Sequence, residues 1–334
     1  MSIHELQQDS DATNELYNFF PGRHLSGFEK LTGGYTSDVF KGNLDGQISI
    51  IKHARAREIF YPTYSVSTET RMATEIEILG RLSPVFPGEV PQILEYYPEN
   101  SIAVMTDVGN DAELGFPYLM KGQAEPRHGA AFGDFLARLK QTTADWEPFQ
   151  TVESAFEQIW IRGQEVEAAS PQWGKQLRDY YLGEQKFLWV DGHPKNVFLG
   201  QTPPLVRAID WDCSHFADSD YMLPNFFGQM PVYTIFGHVG IEEGVRFTEE
   251  MIKAYVKREP VSSKAEAKMC FYAGCQTIQR QDGKWLFDAC GGAEDLSLRR
   301  KAQLFYFGRK VLTSVSTFDQ YLDLLRREGQ ILKD

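Results

Sequence analysis

The 334-residue chain contains no apolar run of the roughly 18 residues that a membrane span requires, so no membrane helix is expected. Its first 20 residues are polar and acidic and hold no apolar core of a secretory signal. Cysteine is scarce: Cys213, Cys270, Cys275 and Cys290, with no C-x-x-C pair. Four thiols in so long a chain make no disulfide framework, and they read as reduced cytoplasmic side chains. Basic charge is also short. Lys and Arg number 34 against 46 Asp and Glu, a formal net charge of −12. A protein that binds nucleic acid without regard to sequence needs a basic surface to displace counterions, so that role is not expected. An acidic surface keeps a chain soluble, and an acidic cleft steers cationic ligands. Internal repeats and low-complexity tracts are absent. So are H-E-x-x-H, G-x-S-x-G and any metal-spaced Cys/His set, which removes the zinc hydrolases and serine hydrolases from view.

What remains is a chain long enough for two domains. After a leading helix at 5–20, residues 28–52 read as a β-hairpin. Leu31-Thr32-Gly33-Gly34 precedes Val39-Phe40, Asn43-Leu44-Asp45-Gly46 makes a turn, and Ile48–Lys52 makes a strand. Met72, Ile76, Leu79 and Leu82 recur at helical spacing and predict a helix over 68–82, which Pro84, Pro87 and Pro91 close. Strands are expected at 92–96 and 101–106. Beyond Val108 the pattern turns helical, with helices at 129–143, 152–168, 246–257, 264–279 and 296–329. A short β-island interrupts it at 187–190, 197–199 and 206–209. The expected fold is α+β, with a β-rich N-lobe at 1–108 and a mostly helical C-lobe at 109–334.

The segment richest in chemistry is Asp191-Gly192-His193-Pro194-Lys195-Asn196, followed by Ile209-Asp210-Trp211. Phosphoryl transfer needs an acceptor hydroxyl held in line, its proton accepted, and divalent metal bridging the phosphates. A carboxylate followed five residues later by an amide supplies a base and a metal ligand from one loop. A second carboxylate at the end of a nearby strand supplies another ligand, and magnesium asks for few protein oxygens beside those of phosphate.

This stretch resembles the catalytic loop and metal motif of the aminoglycoside phosphotransferase/choline kinase superfamily, small-molecule kinases of the two-lobed protein-kinase-like fold. Their pattern is His-Gly-Asp, four residues, Asn, and later Ile-Asp-Phe/Trp. The resemblance implies Asp191 as catalytic base, Asn196 and Asp210 as metal ligands, and ATP and Mg2+ as cofactors. It implies that Gly33 and Gly34 cover the phosphates and that Lys52 bridges them. Val39 and Met105 would line the nucleotide, and backbone groups from Thr106 to Val108 would bond the adenine. Strand alternation puts Ile50 on the face of Lys52, where it lines the adenine. The lysine needs a carboxylate from the following helix. Glu75 lies within the apolar stripe and must have a partner there. Glu69, at the stripe's edge, is the rival, and Glu77 points to solvent.

The expected activity is transfer of the γ-phosphate of ATP to a hydroxyl of an antibiotic, an amino alcohol or a sugar. The acceptor is then a small molecule, cationic if Asp218, Asp220, Glu242 and Glu243 receive it; those four residues otherwise form a solvated rim. The chain departs from the family at Trp189-Val190, which replaces His-Gly and leaves the support of the loop in question. A nucleotide- or partner-binding protein without turnover is the alternative. Asp212 stands where a protein kinase has Gly, and no activation segment follows. His193 and His215 read as loop support rather than as bases.

Overall fold

The computed structural model describes residues 18–31, 37–54, 68–149, 163–280 and 298–330. The chain divides into two compact units. One is Met1–Asn110 together with Ile209–Asp212, and the other is Asp111–Ala208 with Cys213–Asp334. The architecture is α+β, with a sheet in the first unit and a mostly helical second unit.

The first unit holds β1 (Leu25–Leu31), β2 (Ser37–Leu44), β3 (Gln47–Ala54), α1 (Thr68–Leu82), β4 (Ile93–Tyr97) and β5 (Ile102–Thr106). The strands form one antiparallel sheet in the order β1-β2-β3-β5-β4. Asp45 and Gly46 join β2 to β3 with φ of 51° and 92°. Positive φ at both central residues makes a primed turn whose twist matches that of the strands, and Asp-Gly is a sequence suited to it. Side chains alternate across the sheet. Phe40, Leu44, Ile51, Ile102 and Val104 bury one face with Phe20. Ala54, Ala103 and Met105 bury the other with Met72 of α1. The α1 stripe is broader than the four apolar positions predicted, because Ile78 is also fully buried. Each such buried side chain contributes about 1.5–3 kcal/mol before entropy is counted.

The second unit contains β6 (Ala112–Leu114), α2 (Gly115–Met120), α3 (Pro126–Thr142), α4 (Pro171–Tyr181), β7 (Lys186–Leu188), β8 (Val197–Gly200), β9 (Val206–Ala208) and β10 (His215–Ala217). It continues with α5 (Met222–Phe227), α6 (Met230–Ile235), α7 (Ile241–Arg258), α8 (Ser263–Gln279), α9 (Leu298–Ser314) and α10 (Phe318–Gln330). α3 and α7 pack at close range. A Cβ on Gly129 would lie 2.1 Å from the Phe247 carbonyl oxygen, and one on Gly133 would lie 2.0 Å from that of Met251. The predicted β-island becomes two small sheets, β6-β8-β9 and β10-β7.

Three expectations need correction or fall outside the description. The single helix over 296–329 is two helices, because Thr317 Oγ1 accepts from Gln320 N at 3.2 Å while Gln320 Oε1 accepts from Ser316 N at 2.8 Å. That N-terminal cap, with Gln320 reaching back to the residue before Thr317, starts a new helix. The short helices α5 and α6 are buried along their whole length, so they show no amphipathic period from which to read them. The leading helix at 5–20 and the helix at 152–168 lie largely outside the described residues.

Candidate active site

Cross-strand register brings several of the singled-out residues of the first unit onto one face of its sheet. Val39 pairs with Lys52, Lys52 with Ala103, and Ile50 with Met105. This is the face that α1 covers, and α1 delivers Glu75 to it. Lys52 Nζ lies 2.7 Å from Glu75 Oε2. Both side chains are almost entirely buried, Lys52 at 6% exposure and Glu75 at 2%. Glu77 instead pairs with Arg81 one turn on, at the surface. The side chain of Glu69 and the pair Gly33-Gly34 lie outside the described residues.

The segment 209–212 completes this cluster within the same unit. Asp210 Oδ1 is 2.7 Å from Lys52 Nζ, and Asp212 Oδ2 is 3.3 Å from it. Trp211 N donates to Glu75 Oε1 at 3.3 Å, so Glu75 spans the lysine and the segment. Asp210 has φ of 63°. Left-handed backbone is costly for L-residues, less so for Asp and Asn, and an outlier of this kind is a pointer to function. Burial alone would drive the Lys52 ammonium's pKa down, but Asp210, Asp212 and Glu75 outweigh it and hold the pKa well above its usual value. Lys52 is therefore a fixed cation. Arg71, one turn before Glu75 on α1, meets Asp212 at 2.7 Å. Among the described residues three carboxylates thus face two cations, and Asp210, the most exposed at 35%, is the hard oxygen donor that a divalent cation could reach.

The segment after β5 is held by its own hydrogen bonds. Thr106 N donates to Gln92 O at 2.9 Å, so that amide is engaged within the unit. Gly109 N donates to Asp107 Oδ1 at 2.7 Å, and Lys41 Nζ of β2 lies 2.7 Å from Asp107 Oδ2. Val108, half-buried, stands between them.

In the second unit the 191–196 loop is tightly organised. His193 N donates to Asp191 O at 2.8 Å, and Asn196 N to His193 O at 2.9 Å. Asn196 Nδ2 donates to Asp191 O at 3.1 Å. The amide nitrogen is committed to the loop, so the side-chain oxygen is the atom that would face a metal. His193 Nδ1 accepts from Lys195 N at 3.3 Å. His215 Nε2 lies 2.6 Å from Tyr181 Oη, and Nδ1 lies 2.9 Å from Cys213 O. Both histidines support backbone, as expected.

Trp189 is fully buried and stands edge-on to Phe135 at 6.1 Å. Gly192 lies over its indole, where a Cβ would be 2.9 Å from the ring. Asn225 Nδ2 of α5 donates to Val190 O at 2.6 Å, immediately before Asp191. Packing against Trp189 and the Asn225 amide thus both support the loop.

The acidic residues considered for a cationic acceptor all have internal partners. Asp218, fully buried, meets Lys268 at 2.5 Å and accepts from Tyr272 Oη at 2.8 Å. Burial pushes its carboxyl's pKa up, and Lys268 only partly offsets this. Asp220 meets Lys140 at 2.7 Å and Lys268 at 3.0 Å. Burial would raise the pKa of Asp220, but these two lysines overcome it and keep it low. Glu242 pairs with Arg326, and Glu243 with Arg246. Asp218 and Asp220 are buried structural ions rather than the open rim considered from sequence.

Arg71 and Asn225 were not singled out from sequence, and Asp212 only as a departure from the Gly of protein kinases, although each left a signal. Arg71 is one turn from Glu75 on the same helix face. Asp212 follows Asp210 by two. Asn225 is a lone amide in the apolar run 222–227, and a buried polar group needs a partner. Among the described residues no group of three His, Cys, Asp or Glu is arranged to hold a metal by itself, and no helix is long and apolar enough to cross a membrane.

No sequence-family model matches the chain, and no curated protein matches it in sequence. The fold is nonetheless that of a recognised class, the two-lobed protein-kinase-like structures of choline kinases and aminoglycoside phosphotransferases. A choline/ethanolamine kinase family protein from Mesorhizobium loti superposes with a TM-score of 0.57 at 15% identity, over 95% of this chain and 99% of that one. An amicoumacin kinase in complex with AMP-PNP, Ca2+ and Ami gives 0.63 at 13% identity, over 95% and 98%. A choline kinase from Streptococcus pneumoniae gives 0.53 at 16% identity, over 92% and 99%.

Proposed function

We propose that the chain is a cytoplasmic ATP- and magnesium-dependent kinase of a small molecule, transferring the γ-phosphate to a hydroxyl group. The observation that carries this reading is the buried Lys52 held by Glu75 and Asp210, together with the organised Asp191–Asn196 loop, on a fold shared with choline kinases and an amicoumacin kinase. In this reading Asp191 accepts the proton of the acceptor hydroxyl. Lys52 meets the nucleotide phosphates. Val39, Ile50 and Met105 line the base, with backbone groups between Thr106 and Val108 beside it. Gly33 and Gly34 cover the phosphates. Asp210 and Asn196 would hold magnesium, which supplies charge neutralisation across the phosphates. The committed partners of Asp218, Asp220, Glu242 and Glu243 argue against recognition of a cation by these four residues. A neutral polyol, such as a sugar, fits the chain better than choline does on that count.

The test is thermal stabilisation by ATP with and without magnesium, on wild type and Asp210→Asn. A ligand that binds only the folded state raises the melting temperature by mass action. A magnesium-dependent rise lost in the variant supports the reading, and no rise with ATP or GTP sinks it. The binding-only alternative drew its force from Trp189-Val190. The support that Trp189 and Asn225 give the loop favours turnover, which must then disappear in Asp191→Ala.

A further inference from the structure

We infer that Arg71 and Asp212 form a second positioning pair for the nucleotide site, setting the charge against which Lys52 meets the phosphates. The inference rests on the kinase reading above. Asp212 Oδ2 is shared between Arg71 Nη2 at 2.7 Å and Lys52 Nζ at 3.3 Å. Both Arg71 and Asp212 are 2% exposed, so water does little to screen either charge. Arg71 and Glu75 sit one turn apart on α1. The helix therefore approaches the segment 209–212 through two cation–carboxylate contacts of opposite polarity, Arg71 to Asp212 and Glu75 to Lys52.

This arrangement has a consequence for the lysine. Asp212 is a third carboxylate within reach of Nζ, and loss of Arg71 leaves Lys52 as its cation among the described residues. Nζ would then be drawn towards Asp212 and away from Asp210 and Glu75. The cluster would also change from one surplus negative charge to two, against a ligand that is itself an anion. Replacing Asp212 with Asn removes that extra charge and returns the tally to its original value. Arg71 is thus a positioning residue that acts through Asp212, and it touches no reacting atom.

The experiment is isothermal titration of Mg·ATP into wild type, Arg71→Ala, Asp212→Asn and the double variant, with a thermal melt of each. One added buried negative charge near the phosphates is expected to weaken Mg·ATP binding about tenfold in Arg71→Ala. The double variant is expected to return to within about threefold of wild type. Should Arg71→Ala fail to fold, Arg71→Lys keeps the charge and is expected to bind like wild type, and Arg71→Gln is expected to bind as weakly as the alanine variant would. A purely structural pair would lower the melting temperature of every variant and leave the dissociation constants alone. That result overturns the inference, as does a double variant no tighter than Arg71→Ala. Wild type that binds no Mg·ATP overturns the kinase reading and this pair with it. Normal wild-type binding with an unchanged Arg71→Ala overturns the pair alone.

Discussion

Gly192→Ala adds one methyl group where the 191–196 loop lies against the Trp189 indole. Its Cβ would stand 2.9 Å from Trp189 Cε3, 3.2 Å from Cζ3 and 3.3 Å from Cδ2, where ordinary contact begins at 3.4 Å. The indole cannot swing aside, since it is fully buried and edge-on to Phe135. The backbone must therefore yield by about half an ångström, and overpacking of this kind costs about 1–3 kcal/mol. Asp191 is the adjacent residue. A misplacement of about 1 Å costs roughly a hundredfold in rate, so half of that predicts a loss of about tenfold. The assay is magnesium-dependent ATP turnover with water as acceptor, beside the dissociation constant for Mg·ATP. Turnover should fall while binding stays within about twofold, because Lys52 and its partners are not touched. Trp189→Phe in the same background removes the offending ring edge and should restore part of the rate. Full turnover in Gly192→Ala would refute the argument that Trp189 sets the loop.

Three further outcomes follow from the same geometry. Asn225→Leu leaves the buried Val190 carbonyl without its donor, which should cost about 1–3 kcal/mol in urea unfolding and lower turnover more than Mg·ATP affinity. Equal losses in both would assign Asn225 to general packing. His128 is buried with Tyr118 Oη 3.0 Å from Nδ1 and Gly200 O 2.8 Å from Nε2. Its pKa lies below 6.5 because burial disfavours the imidazolium. A depressed folded pKa contributes stability above the unfolded value that is lost as pH falls through the folded one. Stability should therefore decline between about pH 7 and pH 5, with a shallower decline in His128→Gln, and identical slopes would dismiss His128 as the cause. Burial depresses His238 in the same direction, so some slope should survive in the variant. Asp218→Asn should destabilise the fold by about 2 kcal/mol through its contacts with Lys268 and Tyr272, without raising the Michaelis constant for any cationic acceptor; a rise there would restore Asp218 to the acceptor site.

Much of the first unit is legible in sequence because its signals are local. Asp45-Gly46 specifies the β2–β3 turn, and the α1 stripe with a glutamate inside it requires a buried cation. Lys52 was identifiable from its place in the strand that precedes this helix, although β3 runs on past it to Ala54. The second unit gave up less. α5 and α6 are buried on all sides, so no period marks them. The division of α9 from α10 rests on the Thr317/Gln320 cap, a short polar signal hidden between two long helical patterns. The burial and pairing of Asp218 and Asp220 were not readable because their partners, Lys140 and Lys268, come from helices remote in sequence. No spacing rule connects those residues.

The first unit is not a continuous stretch of chain. Its last four residues, 209–212, arrive roughly a hundred residues after Asn110. On a ribosome adding about 5–20 residues per second, that is a wait of some 5–20 s. Throughout it, Lys52 has Glu75 but neither Asp210 nor Asp212, and Arg71 lacks Asp212. The nascent unit must therefore hold Lys52 on β3 and Arg71 on α1 without carboxylates that meet them in the finished fold. A fragment ending at Asn110 would remain in that state permanently. Closure of the Lys52 cluster thus waits until residues 111–208 of the second unit have been made, and it precedes synthesis of α5 to α10.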